Sequence, residues 1–515
     1  MNIQNIKTLG ELKKSGYKPL TVKEELRKNL LQKIQAKENT FSGIIGYEDS
    51  VIPDTERAIL SRHNILFLGL RGQAKTRMAR QMTELLDEYI PVIEGSEVND
   101  DPMAPLSKHG RDLIAQHGDE TPIVWIHRSE RYGEKLATPD VSVADLIGDI
   151  DPIKAANLRL NFADERVIHY GIIPRSNRGI FVINEIPDLQ ARIQVALFNI
   201  LEEGDIQIRG FKLRMPLDIM FVFTANPEDY TNRGSIVTPL KDRIQSQILT
   251  HYPKDIETSL AITEQEADVL AEQQKKIDVS DLIKRLIEQV AFEARGNEYV
   301  DKKSGVSARL TISAYENAVS TAERRAMIQN ESHTQVWLSD LAGIIPSITG
   351  KIELVYEGEQ EGPYQVALNL LDKAIRTQFA QYFPNPEVMK KRKTTGKASQ
   401  EKADDNPYKE ITKWFDKGNH LDLLVDMKDA EKITALYKVE GLYGMVKKLY
   451  PRANDKESAL LMEFVLHGLS AYSLISKKTI EGKIQFKDLI GSMMNLGPIN
   501  MDDDDDNAFN DDDYR

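Results

Sequence analysis

The stretch GLRGQAKT, Gly69 to Thr76, holds the glycines, lysine and hydroxyl that a phosphate-binding loop uses. The signature G-x-x-x-x-G-K-[ST] wants glycine before the lysine, and this chain has Ala74 there. In such a loop, backbone N–H groups cradle phosphate oxygens. Lys75 would reach the β- and γ-phosphates, and the Thr76 hydroxyl would hold Mg²⁺. The plain alternative is a glycine-rich turn with a surface lysine. Alanine at 74 costs little if its φ stays negative and is harmful if the turn needs glycine geometry.

Four further segments could complete the chemistry. GIFVINEIPDL ends an apolar run in Asn184-Glu185, which could place one polar group for Mg²⁺ and a carboxylate for the attacking water, or could be an ordinary core strand with a polar end. IMFVFTANPEDY ends another run at Asn226, which could orient that water or simply start a turn before Pro227. TPLKDRIQS carries Arg243 and SGVSARLTISAYENA carries Arg309. Each arginine alone reads more readily as a solvated side chain.

Those groups need elements to position them. NILFLGL (64–70), PIVWIH (122–127), GIFVIN (179–184) and IMFVFTAN (219–226) have the continuous apolar character of strands buried on both faces. They alternate with helical patterns, so residues 41–255 are expected to form an α/β domain, a parallel sheet with helices on both faces. After GLRGQAKT, residues Met78, Ala79, Met82, Leu85 and Leu86 fall on one helical face, giving strand–loop–helix. Residues 1–40 read as a helical lead-in, with Leu26, Leu30, Leu31 and Ile34 at helical spacing. Residues 256–384 read as a helical lid with a β-prone piece, KIELVYEGEQEG (351–362). Residues 385–406 read as a charged linker, 407–492 as a helical C-terminal domain and 493–515 as a disordered Asp-rich tail.

In this order the elements resemble the AAA+ ATPases, specifically the MoxR and magnesium-chelatase ATPase-subunit branch. GxAKT looks like that branch's phosphate-binding loop. ATPDVSVADLIGDIDP (137–152), RGIFVINEIPDLQARIQVALFNILEEGDIQIRG (178–210) and TPLKDRI resemble its further blocks. The resemblance covers about residues 41–330. It implies an α/β P-loop NTPase core, a helical lid, and hydrolysis of ATP with Mg²⁺. It implies nucleotide contacts from Gly69, Arg71, Gly72, Gln73, Ala74, Lys75, Thr76 and Arg77, with Ile44, Ile45 and Gly46 at the adenine. Thr76 and Asn184 would serve the metal, Glu185 would be the catalytic base, and Asn226 sensor 1. Arg243 would be a finger reaching a neighbour's ATP, and Arg309 sensor 2. A finger implies a ring, a hexamer or related assembly, and the branch often acts on a partner with a von Willebrand factor A domain. Asn184 departs from the branch's aspartate; it keeps an oxygen and loses the charge.

Composition narrows the rest. The 515 residues include no cysteine, which excludes disulfides and thiolate chemistry and fits a reducing compartment, the cytoplasm. No apolar run is long enough to span a membrane, and the N-terminus has no signal-peptide core. Net charge is −13, and the tail MDDDDDNAFNDDDYR supplies a net seven of those charges, eight Asp against one Arg. The body therefore has no basic footprint for nucleic acid. KKRK (390–393) reads as solvated linker, and the nine His include no HExxH pair. Trp125, Trp337 and Trp414 read as core. The expected function is a ring ATPase that remodels or activates a partner protein. A magnesium-chelatase motor subunit and an ATP-binding switch with little hydrolysis are the rivals.

Overall fold

A computed structural model describes residues 5–161, 164–208, 214–227, 235–388, 406–480 and 482–489. The Asp-rich tail, the KKRK run and most of the expected linker lie outside them. Among the described residues, one compact unit comprises the chain up to Ile262 together with Asp301–Arg309. A second comprises Thr263–Val300 and the chain from Leu310 onward.

The first unit is built on a five-stranded parallel sheet: β1 (Ile65–Leu68), β2 (Tyr132–Leu136), β3 (Gly179–Asn184), β4 (Ile219–Ala225) and β5 (Ser246–Leu249). Their order is β5-β1-β4-β3-β2. Strand period two sends alternate residues to opposite faces. Ile65, Phe67, Ile180, Val182, Met220 and Val222 join one core with Leu26 and Leu30 of α1 (Val22–Ala36), Ile59 of α2 (Val51–Leu60) and Met78 of α3 (Lys75–Gln81). Leu66, Phe181, Ile183, Phe221 and Phe223 join the other core with Ile193 and Leu197 of α4 (Ala191–Glu202) and Leu240 of α5 (Thr238–Arg243). Each such side chain contributes about 1.5–3 kcal/mol on burial, so the three central strands are apolar on both sides, as expected.

One expected strand of the central sheet needs correction. PIVWIH is a strand, Ile123–His127, but it pairs antiparallel with Tyr89–Ile93 outside the central sheet. Its Val124 is 38% exposed, so one face is open and the segment is not a doubly covered central strand. The sheet's actual edge strands, β2 and β5, carry polar residues and were not marked by apolar runs.

In the second unit, α6 (Asp281–Gly296) packs on α8 (Pro363–Tyr382), which also packs on α9 (Asp455–Ala471); α7 (Arg309–Gln329) adds its buried face from Leu310 on. The β-prone piece at 351–362 is instead a helix over Tyr356–Glu361, with only Leu354 in a bridge to Val300. The C-terminal region holds strands as well as helices: β6 (Leu421–Leu424), β7 (Ser476–Ile480) and β8 (Lys483–Lys487) form an antiparallel sheet in the order β6-β8-β7. Trp337 is fully buried, whereas Trp125 and Trp414 are half-buried. Among the described residues no helix is long and apolar enough to cross a membrane.

Candidate functional site

The carboxyl ends of β1, β3 and β4 bring the expected polar residues together. β1 runs into the loop Gly69–Ala74, and Gly69 N–H donates to Ala225 O at the end of β4 (3.1 Å). Gly72 has φ +69°, and a Cβ there would collide with the Ser307 side chain. Gly69 is equally crowded, by Thr250 and Gln73. Both glycines are therefore required by close packing. Ala74 has φ +54°, so the left-handed turn falls on alanine, at a cost of about 1–2 kcal/mol. The favourable case considered for Ala74, a negative φ, is not what the chain adopts.

Lys75 is buried at 7% exposure and opens α3. Its ammonium donates to Gly69 O, to Leu70 O at 2.9 Å and to Asn226 Oδ1 at 2.7 Å. Asn226 Nδ2 in turn donates to Glu185 Oε2 at 2.8 Å. Glu185 has φ +55°, a strained turn for a residue with a Cβ, and its N–H donates to Thr224 Oγ1 at 3.1 Å. Thr76 Oγ1 donates to Asn184 Oδ1 (3.2 Å), which also accepts from Thr224 Oγ1 (3.1 Å). Lys75, Thr76, Asn184, Glu185 and Asn226 thus share one polar cluster, with Glu185 and Thr76 half-exposed.

The segment holding Ile44, Ile45 and Gly46 is tied to the loop through Tyr47. Its hydroxyl lies 2.9 Å from Gln73 O and 3.0 Å from His251 O, and burial pushes its pKa up to about 12. Ile44 is buried and Ile45 half-buried. Gly46 has φ +83°, and a Cβ would meet Thr258 Cγ2 at 2.6 Å. Gln73 Oε1 accepts from Thr250 Oγ1 (2.6 Å), and Arg71 O accepts from Tyr252 OH (2.9 Å). Arg71 is exposed and Arg77 half-exposed.

The two other arginines stand apart from the cluster's hydrogen bonds. Arg243 ends α5, donates through Nε to Glu202 at 2.8 Å, and lies over the Phe198 ring at 5.1 Å. Arg309 is exposed at the start of α7, two residues beyond the Ser307 that abuts Gly72.

One group was missed. Glu134 of β2 accepts from Asn184 Nδ2 at 2.7 Å. Burial alone would raise its pKa, but hydrogen bonds from Arg80 and Tyr132 outweigh this and hold it below the usual carboxylate range. Its signal, a carboxylate inside YGEKLAT, was hidden because an edge strand has no apolar run.

The geometry fits a Mg²⁺-bound nucleoside triphosphate. The stretch from Gly69 to Thr76 offers backbone N–H groups, a buried ammonium that can exchange carbonyl partners for phosphate oxygens, and the Thr76 hydroxyl beside the Asn184 carbonyl. Thr76 and Asn184 could hold the metal, which would supply positive charge to offset that of the phosphates.

Residues 161–248 match the family model of the Sigma-54 interaction domain. That span runs from before β3, through Asn184-Glu185 and Asn226, to β5. The first unit has the α/β fold of a P-loop nucleotide-binding domain. It has relatives of known name. The magnesium-chelatase 38 kDa subunit of Cereibacter sphaeroides is 25% identical over 229 residues, 43% of this chain and 61% of that protein. The Rhodobacter capsulatus protein of the same name is 25% identical over 226 residues, 43% of this chain and 59% of its own. The chain thus spans about three-fifths of the curated relatives it matches. Among solved structures, a chain from the complex of magnesium-chelatase subunits BchI and BchD is 20% identical with TM-score 0.32, covering 62% of this chain and 98% of that one.

Proposed function

We propose that the first unit is an AAA+ domain that binds and hydrolyses MgATP. The observation that carries this is the chain from Lys75 Nζ through Asn226 to the Glu185 carboxylate, with links of 2.7 and 2.8 Å. It couples the residue suited to grip phosphate to the residue suited to activate water. In this reading Gly69 to Arg77 bind the phosphates, and Ile44, Ile45 and Gly46 border the base. Thr76 and Asn184 serve the metal. Glu185 takes a proton from the attacking water while Asn226 orients it. Arg243 leaves Glu202 to reach the ATP of a neighbouring subunit, which requires a ring, hexameric in the simplest case. Arg309 reports the nucleotide to a helical lid within 256–384. The work is remodelling or activation of a partner protein, with a von Willebrand factor A domain as the proposed recognition module, in the cytoplasm.

Two other readings keep an observation each. The magnesium-chelatase relatives favour a chelatase motor, which a metal-insertion assay with partner subunits would separate. The uncharged Asn184 favours an ATP-binding switch with little hydrolysis.

The test is steady-state MgATP turnover across protein concentration for the native chain and for Lys75→Ala, Glu185→Gln and Arg243→Ala. Turnover that rises with concentration and is lost in all three supports the ring ATPase. Tight binding without turnover at any concentration rejects hydrolysis by the chain alone and leaves the switch. No nucleotide binding rejects the whole reading.

A further inference from the structure

Asn184 lacks the charge of a carboxylate, yet a carboxylate stands directly behind it. β2 and β3 are parallel, with Glu134 opposite Val182 and Leu136 opposite Asn184. Paired residues point to the same face, and so do residues two apart along a strand. Glu134, Val182 and Asn184 therefore share the sheet face that α3 covers. Thr76 and Arg80 are four residues apart on α3 and project to one side of it. Thr76 meets Asn184, and Arg80 grips Glu134 through Nε at 2.9 Å and a terminal nitrogen at 3.2 Å. The Tyr132 hydroxyl donates to the same carboxylate at 2.8 Å. One helix turn and two strands thus fix a row: Thr76 hydroxyl, Asn184 amide, Glu134 carboxylate.

The row has a direction. Because Asn184 Nδ2 donates to Glu134, its Oδ1 must face the other way, toward Thr76 and Thr224. A charge behind the amide also strengthens that oxygen as an acceptor, as a carboxylate behind a ligand does in metal sites. Arg80 is 64% exposed, so its own charge is largely screened by water, whereas Glu134 is only 22% exposed.

We propose that Glu134 is a positioning residue for the metal: it orients the Asn184 carbonyl and supplies, one side chain removed, the negative charge absent at 184. This rests on the MgATP reading of the same site. It makes Asn184 and Glu134 together the equivalent of one strand-end aspartate.

The test is equilibrium binding of a fluorescent ATP analogue, with Mg²⁺ and with EDTA, to the native full chain, Glu134→Gln, Asn184→Asp and the double variant. The readout is the gain in affinity that Mg²⁺ gives. Losing a partner behind a metal ligand typically costs 10–100-fold in metal affinity, so Glu134→Gln should lose about tenfold or more of the Mg²⁺ gain, with EDTA affinity changed by no more than about twofold. Adding Asn184→Asp to Glu134→Gln should restore the gain. An unchanged Mg²⁺ gain in Glu134→Gln overturns the proposal. Should that variant not fold, Asn184→Asp alone decides: a larger Mg²⁺ gain than the native chain supports the shared role, and an equal one overturns it. If the native chain binds no analogue under either condition, the nucleotide reading itself fails, which is a distinguishable result.

Discussion

The two ends of the central sheet carry opposite kinds of polar cluster. At the carboxyl ends, Lys75, Thr76, Asn184, Glu185 and Asn226 meet through hydrogen bonds that a ligand can replace, and part of the cluster is open to water. At the amino ends, each of four strands is entered by a polar residue: Asn64 before β1, Arg131 before β2, Arg178 before β3 and Asp218 before β4. Here the groups are closed on one another. Arg131 makes a two-point pair with Glu25 (2.7 and 2.6 Å) and donates through Nε to Arg178 O (2.7 Å); both side chains are under 5% exposed. Arg178 donates to Pro91 O (2.7 Å), and Asp218 accepts from Val22 N–H at the start of α1 (2.8 Å). The amino end is the more deeply buried and the more highly charged, and it ties strands to α1, to each other and to the outer strand at Pro91. Burial of charge therefore does not mark the site. Replaceable partners at the open carboxyl ends of parallel strands do, which is where ligands bind in open α/β sheets.

That contrast can be broken at either end. The largest effect is expected from Glu185→Gln: turnover should fall by about 10²–10⁴-fold, as loss of a general base does, with nucleotide affinity and unfolding free energy nearly unchanged. Arg131→Met should do the reverse. It leaves Glu25 buried without its cation and should cost about 3–5 kcal/mol in chemical denaturation, while turnover per folded molecule is retained.

Asp218 gives a pH-dependent form of the same test. Burial pushes its pKa up to about 6 from 3.8, more than offsetting the Val22 N–H and the Arg178 charge. The folded state thus binds this proton more tightly than the unfolded state. Its contribution is full below about pH 4 and is lost as pH rises through about 6. Asp218→Asn should therefore be more stable than the native chain at neutral pH, by at most about 3 kcal/mol at 1.36 kcal/mol per pKa unit, with no gain near pH 4. Denaturation midpoints at the two pH values read this directly. The smallest effect is expected from Ala74→Gly, which relieves the φ of +54° and should stabilise the chain by about 1 kcal/mol in thermal unfolding.

Legibility in the sequence followed burial. β1, β3 and β4 are covered on both faces and read as apolar runs, and the residues at their carboxyl ends were found with them. β2 and β5 lie at the sheet edges, where half the side chains meet solvent, so YGEKL and SQIL gave no run to find. Glu134 went unnoticed for that reason, although it touches Asn184. PIVWIH had the right composition and a different sheet, because an apolar run does not say which neighbour it pairs with. The amino-end cluster left no pattern at all: Arg131, Arg178 and Asp218 look like surface charges until the fold brings Glu25 and Val22 across from positions more than 100 residues away. In the second unit, Leu421–Leu424 and the hairpin at 476–487 are too short and too mixed with Lys and Asp to stand out from the surrounding helices.

The most direct test of the central claim, that the carboxyl-end cluster hydrolyses MgATP, is a single-turnover measurement on the native chain beside Glu185→Gln, with bound nucleotide quantified in both. The account predicts that both bind ATP and only the native chain converts it to ADP and phosphate. Equal conversion by Glu185→Gln would contradict the assigned base, and absence of bound nucleotide in both would contradict the site.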